Sequence, residues 1–222
     1  MATIDLIYCA GGNERFYRIA RDAGFLYGAR LPDTVYGPLH FADQDWRAPD
    51  RERYMAAVAQ HRPYMATVLD WERKEQLPEV LAWAEEIAQW VEVVGIIPKV
   101  HGGIAQLPRV IGGKLVRLCY SVPTQYAGTE LMLMEFINWP IHLLGGSPGA
   151  QMEVARYLDV KSADGNYIQK LATSRCLFWQ RGKHLSLTEA DGKRWNGNGP
   201  EEALRRSCIN VMAAWKYEQR AR

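Results

Sequence analysis

Short apolar runs alternate with amphipathic stretches along the chain. Each run ends in glycine, proline or a polar residue, and the stretch that follows has the spacing of a helix. The pattern predicts eight strands, each followed by a helix, with a long loop over residues 31–49. The strands are expected over residues 4–10, 25–29, 64–70, 92–97, 115–121, 141–144, 160–162 and 176–179.

The repeated strand–helix unit favours an α/β fold, a compact (β/α)8 TIM barrel. Such apolar strands are typical of parallel strands that are buried on both faces. A chain of 222 residues suffices for one small barrel, so we expect a single domain over residues 1–222. A doubly wound open sheet is the alternative. No G-x-G-x-x-G or G-x-x-x-x-G-K-[ST] segment follows the first predicted strand to support it.

Composition excludes several other classes of protein. Apolar residues make up 48% and charged residues 23%, which is typical of a globular chain rather than a disordered or fibrous one. No apolar run approaches the ~20 residues that span a bilayer, and no basic stretch precedes an apolar block at the N-terminus. We therefore expect no membrane partner and no secretory signal. Four cysteines that lie far apart fit a reducing, cytoplasmic location.

Histidine and cysteine spacing predicts no metal site and no cofactor. The five histidines form no H-x-x-x-H pair, and the cysteines form no C-x-x-C pair. His142 lies inside the sixth predicted strand, where a packed core residue is the commoner role.

The charge is unevenly distributed along the chain. The net charge is +2, but residues 175–222 contain ten Lys or Arg and five Asp or Glu. This basic C-terminal part also contains Trp179, Trp195 and Trp215. It could bind a phosphate backbone, or it could be a solvated final helix, and both interpretations stay open.

Polar residues and glycines are concentrated where the predicted strands end. In a (β/α)8 barrel the chemistry lies at these carboxyl ends and in the loops that follow them. We therefore take the following as candidate site residues: Gly11, Gly12, Asn13, Asp43, Asp45, Asp70, Lys99, Ser121, Gly145, Gly146, Ser147, Ser162, Asp164 and Asn166.

Asp70 and Asp164 are the two candidate catalytic residues. Asp70 ends an apolar run, where a carboxylate can accept hydrogen bonds from a base edge or act as a general base. Its alternative role is to cap a helix or pair with Arg73. Asp164 lies in a Ser-Ala-Asp-Gly-Asn segment, a loop position that suits a nucleophilic carboxylate. Its alternative role is to cap the next helix.

Two other features suit a binding role. The turn Gly145-Gly146-Ser147-Pro148 would turn backbone N–H groups toward a phosphate or a base carbonyl. Lys99 could bind phosphate, pair with Asp70 or simply be solvated.

The order of these motifs resembles the tRNA-guanine transglycosylase superfamily, including its phage and bacterial DNA 7-deazaguanine transglycosylase branch. Residues 65–72 (MATVLDWE) resemble the strand that ends in the family's base-recognising aspartate. Residues 94–103 (VGIIPKVHGG) resemble its next strand and glycine pair, and residues 141–148 (IHLLGGSP) resemble its strand and Gly-rich turn. Residues 159–164 (DVKSAD) fall where the family has its nucleophilic aspartate. The resemblance covers about residues 4 to 175.

This resemblance implies a glycosyltransferase of the pentosyltransferase type, a transglycosylase that exchanges guanine for a 7-deazaguanine-type base in DNA. Asp164 would attack the sugar, Asp70 would hold the base, and Gly145, Gly146 and Ser147 would frame the pocket. The partners would be DNA or RNA, bound partly by the basic C-terminal part, and a free purine or 7-deazapurine base. The oligomeric state stays open.

The chain departs from the family in three places. Cys9-Ala10-Gly11-Gly12 lacks the acid of the family's first-strand motif, and the family's cysteine-rich zinc site is missing. The third departure is at the nucleophile, for which Asp164, Asp159 and Lys161 are all candidates.

Two further hypotheses belong to other functional classes. One is a non-catalytic barrel that binds nucleic acid or a partner protein. The other is a small-molecule barrel hydrolase or isomerase that uses Asp43, Asp45, Asp70 and Lys99.

Overall fold

Eight parallel strands close into a barrel in the computed structural model, which describes residues 4–125, 128–180, 183–186 and 199–220. The barrel strands are β1 (Asp5–Cys9), β2 (Leu26–Arg30), β3 (Phe41–Asp43), β4 (Met65–Thr67), β5 (Val93–Ile96), β7 (Lys114–Ser121), β8 (Pro140–Leu144) and β9 (Asp159–Gly165), and β6 is Val110–Ile111. Successive barrel strands pair in parallel, β5 pairs with β7, and β9 pairs with β1, which closes the sheet. The two-residue β6 pairs antiparallel with β7 and is not a barrel strand.

Helices cover the outside of this barrel. In the described part of the chain they are α1 (Glu14–Asp22), α2 (Arg51–His61), α3 (Leu77–Ile87), α4 (Pro148–Ala155), α5 (Tyr167–Thr173) and α6 (Gly199–Arg220). After the predicted strands 92–97 and 115–121, the expected helices are only short 3₁₀ turns, at Ile104–Gln106 and Leu133–Phe136. None of the helices in the described ranges is long and apolar enough to cross a bilayer.

The predicted barrel is confirmed, but one strand was assigned to the wrong segment. The barrel strand that was not predicted is β3, which lies inside the predicted loop 31–49. The predicted strand 176–179 instead belongs to β10 (Cys176–Gln180), which forms an antiparallel hairpin with β11 (Lys183–Ser186) outside the barrel. Residues Leu177 and Phe178 of β10 are buried against α6. The apolar pattern of β10 therefore resembles that of a buried barrel strand.

Strand alternation divides the apolar residues into two clusters. One lies inside the barrel and contains Ile7, Phe41, Met65, Val93, Ile97 and Cys119. The other lies between the barrel and the helices and takes the alternate positions, such as Leu6, Tyr8 and Leu118. Gly28 leaves room inside the barrel, because a Cβ there would be 2.8 Å from both Cys9 Sγ and Ile7 Cγ2.

A bulge in β9 determines which of its side chains face inward. The pairing with β8 skips Lys161, because Ile141 pairs with Val160 and His142 pairs with Ser162. After the bulge, Ser162 and Asp164 both face the barrel interior. Asp164 is therefore a residue of a strand that runs to Gly165, and not of the turn in which it was predicted.

Candidate functional site

A cavity of about 720 Å³ lies at the carboxyl ends of the barrel strands, and we call it the mouth cavity. Nine of the predicted site residues line it: Asp43, Asp70, Lys99, Ser121, Gly145, Gly146, Ser147, Asp164 and Asn166. Trp46, Tyr167 and Lys170 also line it, and Trp46 is 52% exposed beneath the Arg47 guanidinium. The volume suits a ligand of nucleoside size.

Five predicted site residues lie outside the lining of this cavity. Gly11 and Gly12 form an exposed turn after β1, and the Asn13 side chain caps α1 by accepting a hydrogen bond from Phe16 N. Asp45 pairs with Arg30 over 3.4 Å. Ser162 is fully buried, one strand repeat below Asp164 in the barrel interior.

Asp43 is a half-buried carboxyl group at the end of β3, and its pKa is raised. Its Oδ1 accepts hydrogen bonds from Thr67 Oγ1 at 2.8 Å and from Gln44 N at 3.0 Å. Burial and, after it, the charge of Asp164 raise the pKa of Asp43 to about 7, although the Thr67 hydrogen bond acts in the opposite direction. A carboxyl group of this kind can both release and take up a proton near neutral pH.

Asp164 is held by donors on both of its oxygens. Gly145 N donates to Oδ1 at 3.0 Å, and Cys9 Sγ donates to Oδ2 at 3.1 Å. Burial and the Asp164 carboxylate raise the pKa of the Cys9 thiol, which keeps this thiol a donor. Asp164 is only 7% exposed, yet it lines the cavity. Asp164 therefore presents an oriented carboxylate to whatever the cavity binds.

The other two nucleophile candidates lie at the opposite end of β9. Asp159 begins the strand, and Lys161 is the bulge residue. Their side chains pair with each other over 2.7 Å, and neither lines the mouth cavity. Of the three candidates, only Asp164 is in a position to meet a ligand there.

Asp70 and Lys99 form an ion pair at the far side of the cavity. Lys99 Nζ lies 2.6 Å from Asp70 Oδ2 and 3.3 Å from Glu72 Oε1, and Gln44 Nε2 donates to Asp70 Oδ1 at 3.3 Å. Burial lowers the pKa of Lys99, but the hydrogen bond to Asp70 and the Asp70 charge outweigh burial and raise it. The pair offers a ligand an acceptor and a charged donor side by side.

The Gly-rich turn after β8 is fixed by its own backbone and by Gln151. Gly145 and Gly146 both have positive φ, at +66° and +81°, and Ser147 Oγ caps α4 by accepting from Ala150 N. Gln151 Nε2 donates to Gly145 O at 2.8 Å and to Asp164 O at 2.6 Å. This amide ties the turn to the strand that carries Asp164.

Sequence reasoning missed a polar chain inside the barrel. His142 is fully buried, as expected of a core residue, but its Nδ1 lies 2.7 Å from Ser162 Oγ and its Nε2 lies 3.3 Å from Asp164 Oδ1. Arg117 Nη1 donates to Ser162 Oγ at 2.9 Å. Period-two alternation along β8 and β9 places these residues inside the barrel, but only once the Lys161 bulge is known.

The basic C-terminal part is described only in pieces, because residues 187–198 with Trp195 lie outside the described ranges. Within α6, Arg205 and Arg206 both pair with Glu202, and Glu201 pairs with Arg15. Trp215 is buried in the core. Over the described stretch, α6 is thus a packed helix in which Arg205 and Arg206 form local ion pairs.

No group of three or more His, Cys, Asp or Glu side chains that could hold a metal ion occurs among the described residues. The lining of the mouth cavity includes the carboxyl groups of Asp43, Asp70 and Asp164 and two lysine side chains, Lys99 and Lys170.

The fold and the cavity define the chain as a TIM-type barrel with an acidic pocket at the catalytic face of such folds. A family model matches residues 20–216, and the chain belongs to that family, DUF6610, a family of unknown function. No curated protein matches the sequence.

Proposed function

We propose that the mouth cavity binds a purine or 7-deazapurine nucleotide of DNA and exchanges its base through a glycosyl-enzyme intermediate on Asp164. The observation that carries the proposal is the pair of carboxyl groups that line one cavity, Asp164 buried and Asp43 half-buried. Asp43 holds a proton near neutral pH partly because Asp164 is charged. A carboxyl group that can hold a proton near neutral pH suits the acid of such a reaction, and a second carboxyl group at the same cavity suits the nucleophile.

In the first step, Asp164 attacks C1′ of the deoxyribose. The C1′–N9 bond breaks, its electron pair leaves with the base, and Asp43 protonates the departing nitrogen. A bond between C1′ and the Asp164 oxygen replaces the glycosidic bond.

In the second step, the incoming base occupies the place of the first. Asp43, now a carboxylate, takes the proton from N9, and N9 attacks C1′ and releases Asp164. Two displacements at one carbon retain its configuration. Asp43 therefore returns to its starting state with every exchange.

The Asp70–Lys99 pair supports binding of a 6-oxopurine edge. Such a base presents N–H donors beside a carbonyl acceptor, which complements a carboxylate beside an ammonium group. Adenine reverses this order of donor and acceptor. The side-by-side placement of Asp70 and Lys99 thus favours guanine-type bases.

A DNA substrate would have to supply its base flipped out of the stack, because Asp164 is buried at the end of its strand. Trp46 is an exposed aromatic ring at the rim on which a base can stack, and Lys170 is a cation there for a phosphate.

Incorporation of radiolabelled guanine into duplex DNA tests the proposal. We expect the protein to transfer label and Asp164→Asn to lose at least about a thousandfold in rate. Asp159→Asn is the matched control, because it changes the same residue type at the other end of the same strand. Equal incorporation by the protein and by Asp164→Asn, or none by either, would contradict the proposal.

Hydrolysis is the second candidate, and the same pair of carboxyl groups favours it. If water rather than a base attacks C1′, the protein releases guanine without incorporating it. Release without exchange, measured in the same reactions, would assign the site to hydrolysis.

A further inference from the structure

The barrel interior beneath Asp164 contains a chain of polar side chains that the proposed reaction does not use. It runs from Arg117 through Ser162 and His142 to Asp164, with contacts of 2.9, 2.7 and 3.3 Å. His142 and Ser162 are fully buried. Burial of a polar group costs free energy unless the group is hydrogen-bonded, so donors must face acceptors along this chain.

The direction of the chain follows from Arg117. A guanidinium has donors only, so Ser162 Oγ accepts at its contact with Arg117. The hydroxyl of Ser162 has one hydrogen to give, and His142 Nδ1 lies within hydrogen-bond distance of it. Nδ1 then accepts, and the ring proton of a neutral imidazole is on Nε2.

Asp164 favours the same arrangement from the other end. A carboxylate only accepts hydrogen bonds. An unprotonated Nε2 at 3.3 Å from Asp164 Oδ1 would therefore place one lone pair against another, which is repulsive. Nε2 is buried and makes no hydrogen bond of good geometry, and it lies 3.3 Å from this oxygen. The Phe41 ring packs on the imidazole with centroids 4.5 Å apart and limits its rotation.

We propose that Arg117, Ser162 and His142 form a directed relay that holds His142 as the neutral Nε2–H tautomer and aims this N–H at Asp164 Oδ1. Together with Gly145 N and Cys9 Sγ, His142 would then fix the carboxylate plane of Asp164. His142 and Ser162 are positioning residues, since neither lines the mouth cavity. The tautomer does not depend on the substrate, whereas the effect on rate rests on the proposed function.

The tautomer can be measured by nitrogen NMR of the histidine rings in the intact protein without any ligand. The signals of His142 are those that disappear in His142→Asn. We expect a protonated Nε2 and a bare Nδ1, and a loss of this single form in Ser162→Ala. A protonated Nδ1, a doubly protonated ring, or an unchanged ring in Ser162→Ala would overturn the relay.

A double-mutant cycle tests the positioning role in guanine exchange. His142→Asn and Ser162→Ala should each lower kcat by about tenfold to a hundredfold, as losses of orienting partners do, with KM little changed. Because the two act in series, the double variant should be no slower than His142→Asn alone. Additive losses, or losses in KM alone, would contradict the role.

His40→Asn is the matched control for these variants. His40 stacks on Tyr64 and lies 3.7 Å from Asp5. Burial lowers the pKa of His40, the Asp5 charge raises it, and the charges of Arg117 and His142 lower it further. The variant therefore reports how far a nearby charge, without a hydrogen bond in the polar chain, moves the His142 ring. His40→Asn should leave the His142 tautomer and kcat unchanged, because His40 donates no hydrogen bond to that polar chain. If the NMR result is as expected while no variant or parent exchanges guanine, the relay stands and the proposed function fails.

Discussion

At the scale of single residues, burial and neighbouring charge set the chemistry of the cavity. Asp43 and Asp164 are the same residue type on two strands, yet their surroundings differ. Asp43 accepts from a hydroxyl and one backbone N–H, and its pKa rises to about 7. The sequence made both residues site candidates, Asp43 in the long loop and Asp164 in a turn. It could not show that the pKa of Asp43 would depend on the charge of Asp164, because that dependence comes from closure of the barrel.

Asp43 should make the stability of the fold depend on pH. Its pKa is 3.8 in the reference state and about 7 in the fold, so between these values the folded state binds more protons. The free energy of unfolding should therefore fall as pH rises from about 4 to about 7, by up to about 1.4 kcal/mol per pH unit from this group. Urea unfolding at pH 5 and pH 7 measures the change.

Asp43→Asn removes that titration while its amide oxygen keeps the bonds from Thr67 and Gln44. We expect the variant to gain about 2 kcal/mol relative to the parent between pH 5 and pH 7. A difference between the two proteins that does not vary with pH would contradict the shifted pKa.

At the scale of elements, the sequence predicted most strands and helices but not every boundary. The first helix begins after Asn13, because that side chain caps it rather than serving the cavity. β3 was missed because three residues are too few to show a period, and its pairing with β2 and β4 supplies what its sequence does not. β9 was predicted too short because the Lys161 bulge interrupts its alternation, and this is why His142 and Ser162 were not placed beneath Asp164.

The turn after β8 offers a test of how tightly the cavity rim is built. At Gly146 a Cβ would lie 2.6 Å from Val122 Cγ1, whereas at Gly145 it would meet nothing within 4 Å. Both glycines have positive φ, so both alanine variants should lose about 1–2 kcal/mol from the backbone. Gly146→Ala should lose about 1–3 kcal/mol more from the contact. Equal unfolding free energies for the two variants would contradict this prediction, because they would show that the turn or Val122 can shift to admit the Cβ without loss of stability.

At the scale of the whole molecule, the two ends of the barrel carry different groups. The carboxyl ends of the strands hold the cavity with its carboxylates, and the amino ends hold local pairs such as Lys114 with Glu92. The fold class was predicted from the repeated strand–helix unit, and it is confirmed although β2, β5 and β7 are not followed by an α-helix in the described ranges. The cavity and nine of its lining residues could be expected from that fold class, whereas Tyr167 and Lys170 could not, since their place in the lining depends on how α5 packs.

DNA bound at this end should respond to salt through the cations of the rim. Lys170→Ala should weaken binding of a duplex oligonucleotide and lower the slope of log Kd against log salt by about one. Lys114→Ala removes the same charge at the other end of the barrel and should change neither. Equal effects of the two variants in a titration at several salt concentrations would mean that DNA is not bound at the mouth cavity.

The most direct test of the central claim is a covalent complex between Asp164 and DNA. A short duplex is incubated with the protein, the reaction is stopped with denaturant, and the mass of the protein is measured. We expect a fraction of the protein to carry the DNA strand, with the bond mapped to the peptide that contains Asp164. The complex should form in Asp159→Asn and be absent in Asp164→Asn. A covalent complex that persists in Asp164→Asn, or one that never forms in the parent protein while guanine is exchanged, would contradict the account.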